Sequence, residues 1–178
     1  VQAQILNLMK DLQRSFGLTT LLISHNLAVI YQMSDRVAVM YLGRLVEIAD
    51  AQTLFARPLH PYTRLLIETI PRLAAPADGP GPRRPVGGAM PDPIDPPPGC
   101  AFHPRCPLAN DRCRRERREL AAVDGAMVAC HAAAEGRHFP RQVERRRTHA
   151  HQGEPVGSVR GSVDVVGIAG QSLDDAFD

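Results

Sequence analysis

The chain has 178 residues, with 21 Lys and Arg against 19 Asp and Glu, a formal net charge of +2 and only 4% aromatic residues. So small a charge, with so few rings for base stacking, argues against a nucleic-acid partner. A fully folded chain of this size would bury roughly 70% of its unfolded surface, but the apolar residues crowd into positions 1–73 and the second half is rich in Pro, Gly and Arg.

Residues 1–16 place Ile5, Met9, Leu12 and Phe16 at helical spacing, and Leu6 and Leu8 widen the stripe. Gly17 comes next as a C-terminal cap. The first residue is Val, and no cap precedes the helical pattern, so the sequence reads as part of a longer chain. Thr19 to Ser24 is β-branched and apolar and predicts a strand buried on both faces, as in a parallel sheet. Leu27 to Met33 suits a short helix with Asn26 as its cap. Val37 to Tyr41 and Leu45 to Ile48 read as a hairpin turning at Gly43 and Arg44. Asp50 is placed to cap a helix reaching Ala56. "RPLHPYTRLLIETIPRL" carries a last helix, with Pro61 in its first turn, an apolar face of Tyr62, Leu65, Leu66 and Ile70, and Pro71 as its end.

Residues 74–99 hold nine Pro and five Gly in 26 positions. Few apolar side chains remain there to offset the entropy of ordering, so the stretch reads as a linker. A flexible chain of that length spans roughly 25–30 Å, enough to hold the residues from Cys100 onward well away from the first module. From His138 onward no element is convincing. That tail reads as disordered, with a marginal strand over Ser162 to Ile168.

Ser15 to Ser34 is uncharged over 20 residues, long enough to raise a membrane span. Gly17, Thr19, Thr20, Ser24, His25, Asn26 and Gln32 break it into strand, turn and helix. No basic region precedes an apolar core at the N-terminus, as a secretory signal would require. The expected compartment is the cytoplasm, where cysteines are reduced or metal-bound. The arginine runs at 112–118 and 141–147 are interrupted by Glu116 and Glu144 and read as solvated faces.

Two places carry candidate chemistry. His25 stands at the carboxyl end of a predicted strand, where ligands bind in open α/β sheets. Its alternatives are a ligand contact at the strand tip and a histidine that caps the next helix or bonds locally. The four cysteines, Cys100, Cys106, Cys113 and Cys130, are spaced x5, x6 and x16. This is neither the paired C-x2-C of zinc ribbons nor a ferredoxin spacing. Spacing alone leaves a metal site and four free thiols both open. Arg105, Arg112 and Arg114 flank the thiols and would favour thiolates.

"LLISHNL", "DRVAVMYLGRLVEIA" and "LFARPLHPYTRLLIETIPRL", together with "GCAFHPRCPLAN" and "VACH" further along, resemble the C-terminal part of the ATP-binding subunits of oligopeptide/dipeptide (and nickel) ABC transporters. The resemblance covers residues 1 to about 132. It implies an α/β fold: the C-terminal part of a P-loop ABC ATPase domain over residues 1–73, the linker at 74–99, a small Cys-containing extension at 100–132 and a disordered tail over 133–178. It makes His25 the switch histidine that reaches the γ-phosphate of ATP. It raises a [4Fe–4S] cluster on Cys100, Cys106, Cys113 and Cys130, with zinc (His103 and His131 as alternative ligands) or free thiols as the other outcomes. The implied partners are a second ATPase subunit, membrane permease subunits and, indirectly, a periplasmic solute-binding protein. The implied location is peripheral, on the cytoplasmic face of the bacterial inner membrane.

The same resemblance exposes what the sequence lacks. It holds no glycine-rich loop ending in Gly-Lys-Ser/Thr, and its one lysine, Lys10, lies in a helical pattern. The signature motif, the Mg²⁺-holding Asp and the water-orienting Glu of the family are also absent. The expectation is therefore no ATP hydrolysis by these 178 residues alone, ATP and Mg²⁺ being cofactors of a complete subunit, and poor folding of residues 1–50. The competing reading is a stand-alone metal-binding or interaction remnant.

Overall fold

A computed structural model of the chain describes residues 2–69 and 91–137 and the backbone of residues 164–167. Helix α1 spans Gln2–Phe16 and ends on Gly17, whose φ of 63° lets the Leu18 N–H return to the Gln13 carbonyl at 3.2 Å. Helix α2 spans Leu27–Met33. Strands β1 (Arg36–Tyr41) and β2 (Arg44–Asp50) form the hairpin. Leu42 and Gly43 are its two turn residues, both at positive φ, the twist that two-residue hairpin loops require. The turn thus sits one residue earlier than the sequence suggested. Short helices α3 (Ala51–Ala56) and α4 (Pro61–Thr69) complete the first segment.

The second segment holds a 3₁₀ turn at His103–Arg105, helix α5 (Asp111–Arg115), strands β3 (Ala121–Val123) and β4 (Ala126–Val128), and helix α6 (His131–Ala134). Strand β5 covers Asp164–Gly167. All five strands form one sheet in the order β3-β4-β2-β1-β5, antiparallel except where β5 runs parallel to β1. The fold is therefore a mixture of helices and a small, mostly antiparallel sheet rather than the parallel sheet expected.

The expected strand over Thr19 to Ser24 is not formed. The segment pairs with no strand, and Leu21 and Ile23 are 62% and 57% exposed. A strand exists only as part of a ladder, and none of the described strands lies beside it. The stripe of α1 is likewise exposed at Ile5, Leu8, Leu12 and Phe16. The capping bond expected of Asp50 is not made by its side chain; the Ala51 N–H is taken separately by the Asp35 carbonyl at 2.8 Å.

The largest departure is the position of residues 91–137. They do not sit apart from the hairpin. Strand β4 pairs with β2 through Glu47↔Val128 and Ile48↔Met127, and the Ala129 N–H reaches the Val46 carbonyl at 2.9 Å. Phe102 enters the core formed by Ile30, Val37, Val39, Tyr41, Val46, Leu54 and Tyr62. The Arg137 guanidinium donates to the Leu108 carbonyl at 2.6 Å, so order continues past residue 132. The predicted linker positions 74–90, the end of α4 at Ile70 and Pro71, and the tail except residues 133–137 and 164–167 lie outside the described residues. Among the described residues, no helix is long and apolar enough to cross a membrane.

Candidate functional site

His25 lies in the turn between the extended segment and α2. Ser24 Oγ accepts the Asn26 N–H at 3.0 Å, and Asn26 Oδ1 accepts the N–H groups of Ala28 and Val29 at 3.0 and 3.3 Å. The capping role is therefore filled by Asn26, and the capping alternative for His25 is removed. His25 is left exposed between two residues whose side chains pin the turn.

A second constellation was not visible in the sequence. Glu47 in β2 is fully buried. Its carboxylate accepts the Leu59 N–H at 2.8 Å and the His60 N–H at 2.9 Å, just ahead of α4. Burial pushes its pKa up, and Thr63 and the two backbone donors work against that rise. His60 is itself buried, and its Nδ1 accepts the Tyr62 N–H at 3.1 Å. Burial lowers its pKa to about 3, so it is a neutral acceptor. "LHPYT" is thus the N-terminus of a helix whose free donors are taken by a buried carboxylate and a buried imidazole.

The hint for Glu47 lies in one irregularity. The β1–β2 ladder pairs Val39 with Glu47 but Met40 with Leu45, so Val46 is an extra residue. This bulge buries two neighbours in succession, Val46 and Glu47, where strict alternation would expose one. A lone Glu in an otherwise apolar strand was the available signal.

Against this helix start lies an aromatic group. Tyr41 and Tyr62 have ring centroids 4.6 Å apart, and Phe102 meets them edge-on or tilted at 5.4 and 5.5 Å. His60 and Phe102 are 5.9 Å apart. Phe102 belongs to the cysteine-containing segment, so these rings fasten that segment to the hairpin and to α4. Burial raises Tyr62 to about 12 and also raises Tyr41, while the nearby Arg105 charge opposes both.

The cysteine-containing segment places Cys130, Cys100 and Cys113 near enough to Cys106 to act on it electrostatically. Gly99 at φ 71° lets the chain approach α5 so closely that an added Cβ would meet the Cys113 carbonyl oxygen at 2.5 Å. The Cys100 N–H donates to that same carbonyl at 2.9 Å. Asn110 caps α5 by accepting the Cys113 N–H at 3.0 Å. Cys113 and Cys130 are buried, and Cys100 and Cys106 are half-buried.

The expected thiolates are not favoured by this setting. Burial pushes Cys106 to about 12 and Cys130 to about 11, and it raises Cys100. Arg112 is engaged elsewhere, bonding Glu116 at 2.8 Å and lying 3.6 Å from Glu135, and Arg105 acts on the two tyrosines, whereas Arg137 does interact with Cys113. Among the described residues, no three Cys, His, Asp or Glu side chains form a group able to hold a metal ion. His103 Nδ1 is bonded to the Cys100 carbonyl at 3.0 Å, and His131 Nε2 to the Glu116 carbonyl at 3.1 Å. As placed, burial favours the protonated thiol at Cys100, Cys106 and Cys130, and the side chains do not form a ligand shell. His25 is not part of this cluster.

Residues 46–113 match the oligopeptide/dipeptide transporter C-terminal region. The chain is 54% identical over 138 residues to a probable peptide ABC transporter ATP-binding protein of Sinorhizobium fredii, covering 75% of this chain and 38% of that protein. It is 50% identical over 136 residues to a di/tripeptide transport ATP-binding protein of Pseudomonas aeruginosa, covering 75% and 41%. It is 44% identical over 132 residues to a putative oligopeptide transport ATP-binding protein of Bacillus subtilis, covering 74% and 40%. The chain thus spans about two fifths of the length of these curated relatives. Residues of the hairpin, the "HPYT" helix start and the first three cysteines lie within the matched region, and together with these identities they place the chain in the family of ATP-binding proteins of oligopeptide/dipeptide ABC transporters.

Proposed function

We propose that the chain is the C-terminal portion of an ATP-binding subunit that couples ATP hydrolysis to import of peptides across the membrane. The observation that carries this reading is the Ser24–His25–Asn26 turn, in which two side-chain caps fix the backbone and His25 stays exposed. Phosphoryl transfer is catalysed mainly by positioning and by stabilising charge. An exposed imidazole on a pinned turn can donate a hydrogen bond to a phosphate oxygen. His25 is the γ-phosphate contact in this reading. ATP with Mg²⁺ belongs to the complete subunit, since these 178 residues contain no phosphate loop.

Residues 1–73 then contribute the end of the ATPase domain, 74–99 the connection, 100–132 the cysteine-containing extension, and 133–178 a tail. The partners are a second ATPase subunit, membrane permease subunits and, indirectly, a periplasmic solute-binding protein. The location is the cytoplasmic face of the bacterial inner membrane. The test is ATP turnover by a complete subunit assembled with its permease, with and without His25→Ala. A loss of at least tenfold supports the role, and unchanged turnover refutes it. ATP hydrolysis by the 178-residue chain itself would overturn the expectation of inactivity.

A second reading is a metal-binding or interaction module without ATPase activity, and the observation that favours it is that the segment carrying the four cysteines docks on β2 as a structured unit. Iron, sulfide and zinc analysis of protein purified without oxygen separates a [4Fe–4S] cluster, zinc and free thiols.

A further inference from the structure

A cleft of about 620 Å³ opens between the end of α2 and the start of α3. Tyr31, Ser34, Asp35, Asp50, Gln52 and Thr53 line it, and no basic side chain is among its lining residues. Arg36 stands opposite Asp50 in the hairpin register but does not line the cleft. A carboxylate at a cap position ordinarily bonds the first N–H groups of its helix. Asp50 makes no such bond, and the Ala51 N–H is held by the Asp35 carbonyl at 2.8 Å, so the Asp50 charge is left to the cleft. Ser34 is only 8% exposed, and its Oγ has no hydrogen-bond partner. A buried hydroxyl without a partner is unfavourable, and it marks a position that a ligand atom can satisfy. Tyr31 supplies an aromatic wall. It is 55% exposed and is braced edge-on by Phe55, with ring centroids 4.9 Å apart.

A carboxylate, an unpaired hydroxyl and an aromatic wall together select a cation, and size decides which kind. A divalent metal ion needs about six oxygens within roughly 2.6 Å, and no group of three ligating side chains occurs among the described residues. The volume instead falls in the range of small-molecule sites, roughly 300–1,000 Å³. A planar guanidinium meets a carboxylate with two parallel hydrogen bonds, keeps further donors for a hydroxyl and stacks on an aromatic ring. An ammonium group cannot make the paired bonds or the stack. We propose that the cleft between α2 and α3 binds a small alkylguanidinium compound, with the Asp50 carboxylate as its charge partner, the Ser34 hydroxyl as an acceptor and the Tyr31 ring as its stacking face. Asp35 adds to the negative potential of the cleft. The site lies at the far end of α2 from the His25 turn, roughly 10 Å along a seven-residue helix, so it is separate from the phosphate contact.

The test titrates butylguanidinium chloride into the full 178-residue chain, with butylammonium chloride as the matched control, and follows backbone amide shifts by NMR. Shifts are expected at residues 31–35 and 50–53, with butylguanidinium bound roughly tenfold more tightly than butylammonium. Asp50→Asn removes the charge and keeps the shape, and Tyr31→Leu removes the ring. Both positions are exposed, so unchanged urea midpoints are expected, and each variant should weaken butylguanidinium binding roughly tenfold. No shift at these residues, equal affinity for the two cations, or variants that bind as well as the unsubstituted chain overturns the proposal. Complete displacement by an equal concentration of magnesium chloride shows general attraction of cations and also overturns it. A capped arginine tripeptide bound at least tenfold more tightly than butylguanidinium assigns the cleft to an arginine side chain of another polypeptide and overturns the small-molecule occupant.

Discussion

The Glu47 carboxylate takes the backbone N–H of His60 at 2.9 Å, with both residues buried. A strand and the start of a helix thirteen positions later are thereby locked by a carboxyl group that has no access to water. Removing the carboxylate strands the buried donor of His60 and the half-buried donor of Leu59. Each costs about 1–3 kcal/mol when left without a partner. Glu47→Ala is expected to lower stability by roughly 3 kcal/mol, read from the urea midpoint. Glu47→Gln, which keeps one acceptor oxygen, is expected to lose roughly 1 kcal/mol. Equal losses would show that side-chain volume, and not donor satisfaction, is what matters there.

The pH dependence has two opposing parts. His60 is depressed to about 3 in the folded state against an ordinary 6.5, so the unfolded chain takes up a proton that the folded chain refuses. Stability from this group is fully present above pH 6.5 and is lost as pH falls from 6.5 toward 3, at up to about 1.4 kcal/mol per unit. Glu47 is raised by burial, so it acts in the other direction. Its ionisation costs stability as pH rises from the ordinary 4.5 through its folded value. The stability advantage of the unsubstituted chain over His60→Asn is expected to shrink steadily between about pH 6.5 and pH 4. Urea titrations at three pH values check this, and a constant advantage would falsify the assignment of His60 as the acid-labile group.

Gly99→Ala is expected to loosen the cysteine-containing segment. The new methyl would meet the Cys113 carbonyl at 2.5 Å and the Arg114 carbonyl carbon at 2.8 Å, both backbone atoms, at a φ of 71°. Neither neighbour can rotate away. A loss of roughly 3 kcal/mol is expected from combined strain and contact. Limited proteolysis should then cut within 91–137 before it cuts the hairpin. A resistant variant would mean that the backbone around Gly99 relaxes freely.

The thiols offer a chemical check. Burial raises Cys106 to about 12 and Cys130 to about 11, so alkylation of the folded chain at pH 8 is expected to be at least tenfold slower than in urea. Fast labelling of the folded chain would place the thiols in water. Stoichiometric iron and sulfide in protein prepared without oxygen would show that the side chains rearrange to a ligand shell.

Local signals translated well from sequence to structure. Gly17 and Asn26 do what their types predict, because a cap depends only on residues three or four positions away. The hairpin was legible as two β-branched runs flanking a glycine. Thr19 to Ser24 failed because a strand needs a neighbour, and composition cannot say whether one is present. Asp50 holds the cap position, but its side chain makes no cap bond. Glu47 escaped notice because the extra residue at Val46 reverses the alternation on which inward and outward faces are read. The docking of residues 91–137 was illegible for a different reason: a Pro/Gly stretch reports the freedom of a tether, not where its end will settle. At the candidate site, His25 and the four cysteines could be named from the sequence as candidates, while the burial that raises Cys100, Cys106 and Cys130 could not.

Strand β2 serves two neighbours at one residue: Glu47 faces Val39 on one side and Val128 on the other. The first pairing closes through two turn residues, whereas the second must gather chain from far away. Closing a long loop carries a higher entropic barrier than closing a short one. The β1–β2 pairing is thus the cheaper of the two to close. The hairpin is a template in time as well as in space, and a ribosome releasing this chain would finish the template well before the cysteines that settle on it had emerged.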